Sequence, residues 1–307
     1  MKKKNIYSLA VFFTVLVLFA ACKKDRVPQD DYESMDSFYN DNQEEEQELQ
    51  VDSGANGPAC VIAKKGTVIC MSRDALQDAG GTEVPSYPFH LKVIELYSIK
   101  DMILRRQPST SGATILETSA EIKVRPFKDG NEVYLKPGHK YIMRTDTFPS
   151  TVSDMVSYYG NGTGTVGDWT NSVSSFIPGF VDTLSSVYTN SGCYVLTPAT
   201  SGYVSAARAY TSGSVYTPVT VTVTGNNTQN IEIYISFNNF KSVMKVTNLV
   251  SAPVPVGETV TLIAFGKRQN NEYVYHLQTF TVANNQQIPL NMQVIGQSGI
   301  IAALETL

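Results

Sequence analysis

The sequence predicts an all-β protein whose body contains two antiparallel β-sandwich domains of the Ig-like type. Short β-branched and aromatic runs alternate with polar residues at a period of two, as in residues 121–125 and 219–224. Clusters of Gly, Asn and Pro separate these runs, and residues 266–271 have the composition of a hairpin loop. Helix signals are few, and residues 298–307 could form a short closing helix.

The first 21 residues have the pattern of a secretory signal peptide. Three lysines at positions 2–4 precede a mostly apolar run over residues 6–21, and small residues stand just before Cys22. The run is close to the minimum length for crossing a bilayer, so an ordinary N-terminal membrane helix is the alternative.

Cys22 favours the signal peptide. Residues 18–22, Leu-Phe-Ala-Ala-Cys, resemble the lipobox of bacterial lipoproteins, with Phe19 where an aliphatic residue is usual. The resemblance implies that Cys22 is diacylated and ties the protein to the membrane, since each buried CH₂ contributes about 0.8 kcal/mol. Lys23 follows the cysteine where Asp would favour the inner membrane, which indicates the outer membrane. The Cys-Lys-Lys-Asp start also resembles Bacteroidota lipoproteins that are exported to the cell surface.

Residues 22–56 are expected to form a disordered acidic tether. Between residues 23 and 52, eleven acidic side chains stand against three basic ones, so this stretch carries a net charge of −8. A segment of this composition buries too little apolar surface to offset its ordering entropy, and like charges extend it. A Ca²⁺ site at residues 44–48 is the weaker alternative, because spaced ligands and a turn glycine are missing.

The remaining body has a net charge of only +1. It shows no concentrated basic face, so nucleic-acid binding is not predicted.

The body contains three cysteines, of which Cys60 and Cys70 flank two short strands and a turn. Opposed hairpin positions would allow a Cys60–Cys70 disulfide, although sequence alone cannot fix the pairing. Two small buried thiols are the alternative. No metal site is expected, because the three histidines are far apart and lack ligand spacing.

The first domain is predicted at residues 57–147. Its motifs at residues 66–76, 93–104, 121–124 and 128–138 resemble, in order, a ZU5-like β-sandwich domain of Bacteroidota lipoproteins. The resemblance implies a fold and a location, and it supplies no catalytic residues.

The alternation within this domain makes a further prediction about one strand. Ile122 and Val124 should face one way, and Glu121, Lys123 and Arg125 should face the other. A second sandwich domain is predicted at residues 200–307, where residues 255–264 resemble the second half of similar proteins.

Residues 148–199 are expected to connect the two domains. Trp169 follows a Gly-rich run and could form a glycan-stacking platform, but burial is the favoured interpretation because Trp is mostly buried. Tyr158 and Tyr159 begin a Tyr-, Ser- and Gly-rich stretch that suits either a recognition surface or ordinary strands. Thr183 lies in an Asp-Thr-Leu triplet that resembles an O-glycosylation acceptor of Bacteroidota.

No phosphate-binding loop, nucleophile elbow or zinc-protease motif is present in the sequence, so no catalytic residue and no cofactor are assigned. The sequence therefore favours a non-enzymatic, lipid-anchored envelope protein that binds or scaffolds a protein or a glycan at the outer membrane. A fimbrial subunit or anchor is the alternative, and an envelope hydrolase is the third hypothesis.

Overall fold

The computed structural model describes residues 32–53, 58–84, 86–146, 152–161, 168–172, 187–190, 192–223 and 229–307. In chain order the strands are β1 (Tyr32–Glu33), β2 (Gln47–Val51), β3 (Ala59–Ile62), β4 (Val68–Met71), β5 (Leu76–Gln77), β6 (Phe89–Leu96), β7 (Thr110–Ser111), β8 (Thr114–Lys128), β9 (Asn131–Glu132), β10 (Tyr134–Leu135), β11 (Ile142–Asp146), β12 (Val156–Asn161), β13 (Asp168–Thr170), β14 (Tyr188–Asn190), β15 (Cys193–Leu196), β16 (Gly202–Ala209), β17 (Tyr216–Thr217), β18 (Thr220–Val223), β19 (Glu232–Phe237), β20 (Val243–Lys245), β21 (Val254–Pro255), β22 (Thr259–Arg268), β23 (Tyr273–Thr281), β24 (Gln287–Leu290) and β25 (Gln293–Ile295). The helices are α1 (Asp36–Asn42), α2 (Ile99–Leu104) and α3 (Gln297–Leu304). Strands dominate, which confirms the predicted all-β class.

An N-terminal sandwich is formed by two antiparallel sheets. One sheet runs in the order β13-β12-β16-β8-β6-β2, and the other runs in the order β14-β15-β11-β4-β3. Ile122 and Val124 of β8 lie between the sheets together with Leu91 and Val93 of β6, all fully buried. This is the core face that the period-two alternation predicts.

The opposite face of β8 carries the three charged residues, as predicted, but this face is not uniformly exposed. Glu121 is fully buried, whereas Lys123 and Arg125 are partly exposed. The start of β20 and the residues just before it lie against this part of the chain. Thr118 N–H of β8 donates to Lys241 O at 3.0 Å, and Ser109 N–H, just before β7, donates to Val243 O. An element from the second half of the chain therefore converts a solvent face into an interface.

A C-terminal sandwich packs beside the first. Its main sheet runs in the order β20-β19-β22-β23-β25, and the short pairs β17-β21 and β18-β24 cover it. Ile233 and Ile235 of β19 and Leu262 of β22 lie in the core between these layers. The β18-β24 pair is parallel, whereas a purely antiparallel sandwich was expected.

The predicted domain boundaries are wrong in two places. β16, which was assigned to the C-terminal domain, pairs with β8 and β12 inside the N-terminal sheet. Residues 148–199, expected to be a connection, contribute β12, β13 and β15 to the N-terminal sheets. These strands are surrounded by turn-rich sequence, and the strands that pair with them lie far along the chain. Their pairing therefore could not be predicted from the local sequence.

The disordered tether predicted at residues 22–56 is also wrong where the structure describes it. Residues 32–51, here called the strap, fold onto both sandwiches: β1 pairs with β22, and β2 pairs with β6. Between these strands, α1 buries Phe38 and Tyr39, which are 1% and 3% exposed. Tyr39 Oη lies 3.1 Å from Tyr234 Oη, which ties the strap to β19.

The acidic side chains of the strap form ion pairs with distant parts of the chain. Glu33 pairs with Lys267 at 3.0 Å, Asp36 with Arg106 at 2.5 Å, Glu44 with Lys65 at 2.7 Å and Glu46 with Arg125 at 2.6 Å. Composition alone predicted disorder. It could not show that these acids pair with cations far along the sequence, or that the few apolar residues of the strap share one face of a helix.

A third apolar cluster, here called the junction core, lies between the two sandwiches. It combines residues of the strap, of α2 and α3, and of both main sheets: Met35, Phe38, Tyr39, Leu96, Met102, Ile103, Leu116, Tyr158, Trp169, Tyr203, Tyr234, Ile263, Phe265, Ile300 and Leu304. The two sandwiches therefore share one continuous buried surface.

Candidate functional site

The aromatic residues singled out in the sequence are buried. Trp169 is 2% exposed, its ring meets Tyr203 edge-on, and its Nε1–H donates to Pro108 O at 2.8 Å. Tyr158 and Tyr159 are 7% and 1% exposed. These three residues are core elements. The burial favoured for Trp169 is confirmed, Tyr158 and Tyr159 belong to an ordinary strand, and the contact role considered for all three is wrong.

Cys60 and Cys70 are directly opposed on β3 and β4 and are joined by a disulfide. The structure therefore selects the disulfide over the alternative of two buried thiols. The lipidation candidate Cys22 and the glycosylation candidate Thr183 lie outside the described residues.

A partly exposed aromatic residue lies instead where β16 ends. Tyr210 follows β16 and stacks on Phe240, with ring centroids 4.0 Å apart and planes 19° apart. Phe240 in turn stacks on Phe237 of β19 at 4.8 Å, and Phe237 belongs to the core of the C-terminal sandwich. Tyr210 is thus the outermost ring of a stack that is anchored in a core.

Glu258 holds the Tyr210 ring in place from its edge. Tyr210 Oη–H donates to Glu258 Oε1, and Asn239 Nδ2–H donates to Glu258 Oε2 at 3.0 Å. Burial, followed by the hydrogen bond to Glu258, raises the pKa of Tyr210 to about 12. The hydroxyl consequently remains a proton donor throughout the neutral pH range.

A cavity of about 360 Å³ opens beside this ring. It is lined by Asp154, Arg208, Ala209, Tyr210 and Thr211. Residues that carry a hydroxyl, a carboxylate, a guanidinium and an aromatic ring therefore line one space. We refer to these five lining residues as the Tyr210 site.

Arg208 is held in position by a carboxylate on the adjacent strand. Its Nε and Nη2 atoms each lie 2.7 Å from Glu117 Oε2, and the two residues are direct partners on β16 and β8. Tyr216 is a second tyrosine close to this region. The residue is 39% exposed, and its Oη accepts the Ser212 N–H at 3.0 Å.

The Tyr-rich composition pointed to this region only coarsely. Tyr210 and Tyr216 lie in the Ser-, Thr- and Tyr-rich stretch, but nothing in the sequence separates them from their buried neighbours. Phe240 lies between β19 and β20 and Glu258 lies just before β22, so only the fold brings them to Tyr210.

A second polar cluster lies inside the junction between the sandwiches. Glu121 is fully buried, Ser109 Oγ–H donates to its Oε1 at 3.0 Å, and Lys241 Nζ–H donates to Ser119 O at 2.6 Å. Burial raises the pKa of Glu121 to about 8 and lowers the pKa of Lys241. Ser109 is 1% exposed, so a substrate cannot reach this serine and carboxyl in the structure described.

Two carboxylates of the acidic run at residues 44–48 form ion pairs. Glu44 and Glu46 face Lys65 and Arg125, as described for the strap. Within the described residues, no group of three or more His, Cys, Asp or Glu side chains is placed to hold a metal ion. Among the same residues, no helix is both long and apolar enough to span a membrane.

Comparison with known proteins gives no match. No protein-family model, no curated protein and no solved structure matches the chain. The site must therefore be interpreted from its own chemistry.

Proposed function

We propose that this chain is a lipid-anchored envelope protein of the Bacteroidota surface type, which binds an envelope component without catalysing a reaction. The observation that carries the binding function is the Tyr210 ring, which stacks on Phe240 at 4.0 Å beside a polar cavity of about 360 Å³. Pockets that recognise ligands typically combine an apolar or aromatic wall with a few placed polar groups.

The fold supports a short attachment to the membrane. If Cys22 is lipidated, only residues 22–31 separate the anchor from β1, where the strap joins the body. Ten extended residues span at most about 35 Å. The proposal therefore places the body close to the membrane, since the strap belongs to the folded unit.

The strap also suits a role in transmitting force from the anchor to the body. It pairs with β22 of one sandwich and with β6 of the other, and α1 fills the junction core between them. A pull on the anchor would act on both sandwiches at once. Such an attachment is useful in a protein that holds a partner at the envelope.

The anchor is tested by cell fractionation of the wild type and of Cys22→Ala. We expect the wild type in the outer-membrane fraction and the variant released or retained as an uncleaved precursor of altered mass. Acyl labelling that is equal in the two proteins would contradict the anchor.

Binding is tested by photo-crosslinking in intact cells. Benzoylphenylalanine is placed at Tyr216, beside the Tyr210 site, or at Tyr134, which is 43% exposed on β10. We expect a discrete adduct from position 216 and none from position 134. The absence of an adduct at position 216, in cells where the protein is folded and anchored, would contradict the proposed function.

A further inference from the structure

We propose that the Tyr210 site binds a neutral saccharide. This inference rests on the binding function proposed above and specifies its ligand class. It is carried by the fixed ring, by the mixture of donors and acceptors around the cavity, and by the local charge.

The ring provides a pre-organised stacking surface. Stacking on Phe240 and donation to Glu258 together fix its plane and its rotation. A tyrosine offers rigid amphipathic contact area at a low cost in conformational entropy, and the negative face of an aromatic ring attracts positively polarised hydrogens. The C–H-rich face of a pyranose is a surface of that kind.

The polar lining suits hydroxyl groups that both donate and accept. Asp154 is an acceptor, Thr211 is both donor and acceptor, and Arg208 keeps N–H donors beyond the two that face Glu117. Adjacent sugar hydroxyls present the same mixture. A purely apolar ligand would leave these groups without partners, which is costly.

The charge around the cavity selects against anionic ligands. Arg208 is the cation of the cavity lining, and its charge is already opposed by Glu117. Asp154 and Glu258 add two further carboxylates near the ring. A phosphate or a uronic acid would meet net negative potential here, whereas a neutral sugar would not.

The size of the cavity favours a short segment. At about 360 Å³ it lies near the lower end of the range for ligand pockets, roughly 300–1,000 Å³. It therefore suits a terminal sugar or a small part of a chain, with Tyr216 available to a neighbouring ring.

The test measures binding to the full-length protein in detergent by titration calorimetry. The probes are neutral oligosaccharides of glucose, mannose, xylose and N-acetylglucosamine, with oligogalacturonate as the acidic probe. We expect at least one neutral probe to bind, oligogalacturonate to bind more weakly, and Tyr210→Ala to weaken binding by about tenfold or more, as for a truncated aromatic anchor.

Two variants separate binding from folding. Tyr210→Phe keeps the ring and should retain more affinity than Tyr210→Ala. Asp154→Asn removes an acceptor charge at an exposed residue whose φ of 64° asparagine tolerates, so it should weaken binding without lowering the unfolding midpoint. Tyr134→Ala is the control and should bind like the wild type.

Three results would overturn the inference: no neutral probe binds, oligogalacturonate binds best, or neither Tyr210→Ala nor Asp154→Asn weakens binding. If no saccharide binds while position 216 still crosslinks to an envelope protein, the ligand class is wrong and the binding function stands. If no saccharide binds and position 216 gives no adduct, both proposals are wrong.

Discussion

Ser109 Oγ–H donates to Glu121 Oε1 at 3.0 Å in the junction between the two sandwiches, where both residues are at most 1% exposed. Glu121 Oε2 is buried and has no hydrogen-bond partner in the described structure. Burial has the largest effect and raises the pKa of Glu121 to about 8, although the hydrogen bond from Ser109 and the charge of Lys241 both act to lower it. A carboxyl at a domain junction is therefore held in its neutral form at pH 7.

This carboxyl makes stability depend on pH. Between its ordinary value near 4.5 and about 8, the folded protein keeps a proton that the unfolded chain releases. The free energy of unfolding should consequently fall as pH rises through this window, by up to about 1.4 kcal/mol per pH unit. Burial lowers the pKa of Lys241, so this residue has the opposite effect: at alkaline pH it makes the free energy of unfolding rise with pH.

Glu121→Gln tests this dependence in urea unfolding series at pH 5, 6, 7 and 8. Residue 121 of the variant cannot ionise, so we expect its free energy of unfolding to change less with pH. Between pH 5 and pH 8 the variant should lose less stability than the wild type. Glu45→Gln changes an exposed carboxylate of the strap and serves as the control, with the wild-type slope. Equal slopes in the wild type and in Glu121→Gln would refute the assignment.

The Glu121 case shows how far sequence reasoning extends. Alternation in residues 121–125 correctly places Ile122 and Val124 in a core, because side chains of a strand alternate between faces whatever covers them. It cannot tell whether the other face meets water or a second sandwich. That depends on residues near Lys241, more than a hundred positions later.

The Tyr210 site was unpredictable for the same reason. Its ring stack joins Tyr210 to Phe240, and its cavity joins Asp154 to Arg208, so no local motif exists. The Cys60–Cys70 pair was accessible to sequence reasoning because a hairpin is local and its opposed positions can be counted.

The strap should contribute strongly to stability. Phe38 is 1% exposed and contacts Phe265 and Tyr273, with ring centroids 5.7 and 5.9 Å away. Phe38→Ala should lower the free energy of unfolding by about 3–5 kcal/mol, since it removes a buried ring and leaves a cavity. Chemical denaturation followed by circular dichroism measures this loss.

Ser37 provides the matched control for the strap, because it is exposed on the same helix. Ser37→Ala should change stability by no more than about 0.5 kcal/mol. If Phe38→Ala were as stable as Ser37→Ala, residues 32–51 would not be part of the folded body, and the tether interpretation would return.

The disulfide should stabilise the N-terminal sandwich modestly. Cys60 and Cys70 close a loop with a sequence separation of 10, and a loop of this length restricts the unfolded chain by about 3 kcal/mol in the chain-entropy description. Replacing both cysteines by alanine should lower the unfolding free energy by about that amount. Peptide mapping without reductant should recover residues 60 and 70 in one linked fragment, whereas linkage of either to Cys193 would contradict the pairing.

Glu95 should fix the turn that this disulfide closes. The side chain is 1% exposed on β6 and accepts the Lys65 N–H at 2.7 Å, the Thr67 N–H at 3.0 Å and the Gln47 Nε2–H at 2.9 Å. One carboxylate thus satisfies two backbone donors of the β3–β4 turn and one side chain of the strap.

Glu95→Gln keeps the size of this side chain but replaces one of its acceptor oxygens with an NH₂ donor. We expect a loss of about 2–3 kcal/mol, because a buried donor is left without a partner and charge-assisted bonds are removed. Faster amide hydrogen exchange at Lys65 and Thr67 should accompany the loss. Glu48→Gln, on the exposed side of β2, should leave both quantities unchanged, and equal exchange at residues 65 and 67 in the two variants would mean that Glu95 does not hold the turn.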